Sequence, residues 1–105
     1  MKEHLLCRRD DLPGNGEARD FECAGHTICV ANSAGMLSAL DNICIHRGGP
    51  LSQGMIENGK IVCPWHGWAF DLGTGCATHD VARRARRYPL RIEGDAVYVS
   101  LEETL

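Results

Sequence analysis

Turn residues break this chain into short segments, and that argues against a helical bundle. The clusters Pro13-Gly14-Asn15-Gly16, Ala24-Gly25, Asn32-Ser33-Ala34-Gly35, Glu57-Asn58-Gly59, Gly73-Thr74-Gly75 and Glu93-Gly94-Asp95 recur along its 105 residues. Between them lie runs with strand character. His26–Ala31 is β-branched and apolar, and Gly35–Leu40 follows closely enough for a hairpin. In Ala96–Leu101, Val97, Val99 and Leu101 alternate with Ala96, Tyr98 and Ser100, the period-2 pattern of a half-buried strand. Tyr88–Ile92 precedes it across a short turn and predicts a C-terminal hairpin. The one helix candidate, Val81–Arg87, lacks an apolar stripe. The expectation is an all-β, antiparallel sandwich or barrel. It is a single domain over 1–105, with a β base at about 1–41 and 79–105 and a loop-built insert at about 42–78.

Charge and sulfur content narrow the function classes. Eleven basic against fourteen acidic residues give a net charge of −3, without the basic surplus of a general nucleic-acid binder. No apolar run approaches the roughly 18 residues of a membrane span. Six cysteines in 105 residues fall below the roughly 8–10% typical of secreted disulfide scaffolds. The charged start, Met1 to Asp10, is not a secretory signal. A reducing, cytoplasmic setting is therefore expected, where neighbouring Cys and His are metal ligands or catalytic groups more often than disulfide partners.

The insert carries two such pairs. Cys44-Ile45-His46 and Cys63-Pro64-Trp65-His66 form C-x-H, sixteen residues, then C-x-x-H. Each half offers one thiolate and one imidazole, and glycine follows each: Arg47-Gly48-Gly49-Pro50 after the first, Gly67 after the second. Two Cys and two His also make a complete tetrahedral zinc set, so structural zinc is one candidate. Zinc spacing, however, usually pairs Cys with Cys and His with His. Mixed pairs suit a binuclear [2Fe–2S] centre better, with two thiolates on one iron and two imidazoles on the other. Two ferric ions, two sulfides, two thiolates and two neutral imidazoles sum to zero formal charge. A four-thiolate cluster starts at −2 and is harder to reduce.

The run Cys44-Ile45-His46-Arg47-Gly48-Gly49-Pro50-Leu51-Ser52-Gln53-Gly54, with Cys63-Pro64-Trp65-His66-Gly67-Trp68-Ala69-Phe70-Asp71, resembles the Rieske [2Fe–2S] family. The resemblance continues through Gly73-Thr74-Gly75 and Tyr88–Val99, and is loose over the first forty residues. It implies the Rieske fold, with a cluster-binding subdomain at one end of antiparallel sheets. It implies one [2Fe–2S] cluster, with Cys44 and Cys63 on the inner iron and His46 and His66 on the outer one. Pro50 and Pro64 would stiffen the two loops. Trp65 and Trp68, flanking His66, would shield the cluster, with Trp65 the alternative choice for a docking contact.

Departures from the respiratory branch of that family refine the reading. That branch carries an extra cysteine in each loop, joined as a disulfide, where this chain has Gly49 and Trp65, so no disulfide between the loops is expected. It also places hydroxyls where this chain has Trp68 and Phe70. Fewer hydrogen bonds to sulfur leave the reduced cluster less stabilised, predicting a potential near the bottom of the family's range of about −150 to +300 mV. The resemblance implies a soluble ferredoxin moving one electron at a time from a flavoprotein reductase to a ring-hydroxylating terminal oxygenase. The small subunit of an assimilatory nitrite reductase, beside its large subunit, is the alternative. A zinc-stabilised binding module comes third. A chain this short holds no substrate site beside the cluster, so it is expected not to be an enzyme by itself.

The remaining chemistry-bearing residues have plainer readings. Cys23 and Cys29 are expected as small buried residues in strands, and Cys76 as a structural residue of the insert. His4, His26 and His79 are expected at the surface or in turns, with His79 the one to test for a docking or proton-linked role. Arg83, Arg84, Arg86 and Arg87, with Arg91 nearby, form either a solvated edge or an electropositive docking patch. In many relatives a proline-rich loop covers the cluster here, but Ala77-Thr78-His79-Asp80-Val81 has no proline.

Overall fold

The computed structural model describes residues 2–43, 49–65 and 67–101. Among the described residues, twelve strands run in chain order: β1 Lys2–Arg8, β2 Ala18–Cys23, β3 His26–Ser33, β4 Met36–Asp41, β5 Met55–Glu57, β6 Lys60–Val62, β7 Ala69–Asp71, β8 Cys76–Ala77, β9 Asp80–Arg84, β10 Arg87–Tyr88, β11 Leu90–Glu93 and β12 Ala96–Leu101. They form three antiparallel sheets, ordered β1-β12-β11, β10-β4-β3-β2 and β5-β6-β7-β8-β9. The all-β expectation holds.

The four-stranded sheet is the middle layer. In β3, Ile28, Cys29, Val30 and Ala31 are all buried, so this strand is covered on both faces. Side chains alternate between two cores. Ile28, Val30 and Ala39 pack with Cys23, Tyr88, Val99 and Leu101, against the three-stranded sheet. Cys29, Ala31 and Leu40 pack with Leu51, Ile61, Cys63, Phe70, Leu72, Ala77 and Ala85, against the five-stranded sheet. Burying a large aliphatic or aromatic side chain contributes about 1.5–3 kcal/mol, so each core anchors its outer sheet.

Most expected strands are present. His26–Ala31 lies in β3, Gly35–Leu40 becomes β4, and Ala96–Leu101 is β12. The Tyr88–Ile92 run divides at Pro89. Tyr88 pairs with Ala39 in the middle sheet, whereas Leu90 pairs with Val99 in the three-stranded one. Proline has no N–H for a ladder, so the chain changes sheets there. Val81–Arg87 is not helical. Its first four residues lie in β9, and Arg87 opens β10. Ala85 N–H donates to the Gly75 carbonyl at 2.8 Å and Asp41 N–H to the Arg86 carbonyl at 2.8 Å, which hold the segment extended between two sheets. The region expected as loops carries the five-stranded sheet. Most of its strands are two or three residues long, too short to show a period. Strand β1, rich in charge, was not foreseen; it pairs with β12 along its length, with a bulge between Leu5 and Cys7.

Candidate metal centre

The paired Cys and His positions fall in two connections of this framework. The first leaves β4 and returns through an antiparallel bridge between Ile43 and Pro50. Asn42, buried at its base, binds in three directions. Its N–H donates to the Thr27 carbonyl at 2.9 Å, its carbonyl accepts from Leu51 N–H at 2.8 Å, and its Oδ1 accepts from Ser52 N–H at 2.8 Å. The second loop, 63–68, joins β6 to β7. Cys63 N–H donates to the Trp68 carbonyl at 2.7 Å, and Gly67 N–H to the Cys63 carbonyl at 3.0 Å. Gly67 sits at φ +74°, a left-handed turn that lets the loop double back.

Cys44, His46, Arg47, Gly48 and His66 lie outside the described residues. Cys63 lies within them, and its surroundings test whether the site suits an iron–sulfur group. It is 2% exposed and belongs to the core beneath the five-stranded sheet. A Cβ added to Gly49 would stand 2.9 Å from the Cys63 sulfur and 3.0 Å from the Trp65 indole. Gly49 therefore lies directly against the second loop, and any larger residue there would press on the Cys63 sulfur. A buried, soft sulfur donor with the Gly49 backbone directly against it fits an iron–sulfur group. The two positions where the respiratory branch has its disulfide, Gly49 and Trp65, do lie against each other. Pro64 is exposed beside Cys63, and Pro50 anchors the bridge. Trp65 is 57% exposed, while Trp68 is half-buried against the core and Phe70 fully buried within it.

The other cysteines stay apart from this arrangement. Cys29 is buried, and burial, with Asp20 nearby, pushes its thiol up to about 12. Burial also raises the Cys23 and Cys7 thiols, so these groups remain protonated and inert. Cys76 is half-buried on β8, paired with Arg84. Among the described residues, no cluster of three or more His, Cys, Asp or Glu side chains forms another metal site. His79 lies exposed in a turn as expected. His4 and His26 are instead half-buried in strands, His26 edge-on to Tyr88 at 6.0 Å. Strand pairing draws them in, whereas residue type alone favoured the surface.

Part of the arginine run is engaged in packing. Arg83 Nε lies 3.5 Å from Asp80 Oδ2, its guanidinium sits 5.7 Å from the Trp68 ring centre, and Arg87 Nε donates to the Leu72 carbonyl at 3.0 Å. Sequence reasoning missed two contributors. Asn42 had a faint signal, a polar residue at a strand end. The contact of His79 with Trp68, at 4.2 Å between ring centres, had none, because the β7–β8 pairing of Phe70 with Ala77 creates it.

Among known proteins, the human Apoptosis-inducing factor 3 is 32% identical over 92% of this chain. The chain spans 16% of that relative's length, and 12% and 21% of two others it matches. A ferredoxin component of naphthalene 1,2-dioxygenase/salicylate 5-hydroxylase systems from Ralstonia sp is 32% identical, with 89% of each chain covered. A solved structure of a complex of reduced oxygenase and oxidized ferredoxin in carbazole 1,9a-dioxygenase superposes with a TM-score of 0.82. It is 25% identical and covers 98% of this chain and 96% of that one. Residues 2–90 match the Rieske [2Fe-2S] domain. With that match over most of its length, the chain belongs to the Rieske [2Fe–2S] domain family, and its cofactor is a Rieske-type [2Fe–2S] cluster.

Proposed function

We propose that this protein is a one-electron carrier that takes electrons from a flavoprotein reductase and passes them to a ring-hydroxylating terminal oxygenase. The observation that supports this most directly is the like-for-like length of the match to a ferredoxin component, 89% of either chain. The complex of oxygenase and ferredoxin among its structural neighbours supports the oxygenase as acceptor. The cluster, when bound, accepts and releases one electron. Cys44 and Cys63 would hold its inner iron, and His46 and His66 its outer iron. Cys63 supports this assignment by its burial, which keeps water from the thiolate side. Arg47, Gly48 and Gly49 would carry the first loop over the site, with Pro50 stiffening the first loop, Pro64 the second, and Trp68 and Phe70 filling the space behind. Trp65, exposed beside Cys63, is the proposed docking contact for the acceptor. In this reading a β base at about 1–41 and 79–105 carries the insert at about 42–78.

No described helix is long and apolar enough to cross a membrane. A cytoplasmic site of action is part of the same proposal, as is the lack of a catalytic substrate site. Reductive titration should take up one electron per chain, and the reduced protein should be reoxidised by a terminal oxygenase in a single turnover. Fast reoxidation by a sirohaem nitrite reductase subunit, with none by the oxygenase, would reassign the acceptor. A colourless protein with stoichiometric zinc would overturn the reading altogether.

A further inference from the structure

Trp68 closes the loop that begins at Cys63. Its carbonyl accepts the Cys63 N–H at 2.7 Å, and its indole packs half-buried on the core that contains Cys63. That indole is also gripped from the β8–β9 hairpin. The His79 ring, in the hairpin turn, meets it edge-on, 4.2 Å between ring centres at an interplanar angle of 73°. The Arg83 guanidinium, from β9, sits 5.7 Å from the ring centre. The hairpin is itself fastened down. Thr78 N–H donates to the Ala69 carbonyl at 2.9 Å, Ala77 pairs with Phe70, and Asp80 steadies Arg83 across 3.5 Å. Both contacts therefore reach Trp68 from a wall bonded to the same strand, β7, that begins one residue after it.

We propose that His79 and Arg83 are positioning residues for the cluster. By holding the Trp68 indole, they keep its carbonyl on the Cys63 N–H and so keep the Cys63 sulfur where the cluster requires it. This rests on the reading of Cys63 as an iron ligand. A metal donor held by a rigid loop is released less often than one on a loop free to swing, because neighbours that orient a ligand raise metal retention. The side chains act through packing and cation–π attraction, and no proton is transferred.

The test uses the full-length holoprotein. His79→Ala should bleach in the presence of EDTA about two- to ten-fold faster than wild type, the factor expected for losing one edge-to-face ring contact. Its reduced-state paramagnetic resonance g values should shift, with the far-ultraviolet circular dichroism of the holoprotein unchanged. His79→Phe, which restores a ring edge without an imidazole, should return bleaching and g values towards wild type. Arg83→Gln should bleach faster than wild type as well. Wild-type bleaching and g values in both His79→Ala and Arg83→Gln would overturn the proposal, as would His79→Phe as impaired as His79→Ala. Cys63→Ser separates the two readings. Loss of the Rieske spectrum there, with normal His79→Ala, defeats only the positioning role; a retained Rieske spectrum defeats the ligand assignment.

Discussion

A Cβ on Gly54 would lie 1.9 Å from the Val62 carbonyl oxygen, so the chain leaving the first loop presses on the residue just before Cys63. The obstacle is backbone and cannot rotate aside. Gly54→Ala should therefore destabilise the fold by about 1–3 kcal/mol, the usual cost of overpacking, seen as a lower urea midpoint. Gly49 differs, because the atoms it would meet belong to the side chains of Cys63 and Trp65. These can move, so Gly49→Ala should fold with near-normal stability but hold less iron per chain, checked by iron and sulfide analysis. At Asn42, alanine leaves the Ser52 N–H without its partner at 2.8 Å. A loss of about 1–2 kcal/mol is expected in denaturant titration. Gly49 and Gly54 were visible within the ligand motif; what each one touches was not, because the contacts join separate segments of the fold.

At the scale of the element, the hairpins show how turn chemistry and strand identity were legible. The β2–β3, β3–β4 and β5–β6 turns place Ala24-Gly25, Ala34-Gly35 and Asn58-Gly59 at positive φ, as two-residue hairpins demand. Their sequences marked them as turns. Alanine at φ 54° is the poor choice in the second of them. An L-residue pays roughly 1–2 kcal/mol in that region, which asparagine tolerates better. Ala34→Asn is expected to raise stability by about 0.5–1 kcal/mol, read from thermal unfolding. Strand β9 was not legible. Val81–Arg87 has no alternation that would mark a strand, and its extended form comes from pairing with β8 and from bonds made by Ala85 to Gly75 and by Arg86 to Asp41 at the end of β4.

Across the whole molecule, an exposed charge cluster ties the first strand to the last hairpin. Arg91 Nε and a terminal nitrogen both reach Glu3, each at 2.8 Å, and the guanidinium also pairs with Glu93 and stacks on Tyr98 at 4.5 Å. Arg91 holds the Glu3 carboxyl below its ordinary value of 4.5. A carboxyl with a lowered folded value adds stability above its unfolded value and loses it as pH falls through the folded one. Wild type should thus melt slightly above Glu3→Gln at neutral pH, and the gap should close as the solution is acidified well below pH 4.5. The effect is small because the pair faces solvent. For the redox centre, Trp68 and Phe70 supply no hydroxyl to sulfur, so voltammetry should find a midpoint near the low end of about −150 to +300 mV. The amino-acid sequence by itself determined the β class, most of the hairpins and the paired Cys–His spacing that announces the cofactor, since these depend on local backbone preference and residue type. Only the tertiary structure decided which sheet each strand joined, how Gly49 came to lie over Cys63, and that His79 and Arg83 grip Trp68. Periodicity reports which face of a strand is buried but not which partner buries it, and that choice is made when three sheets pack against one another.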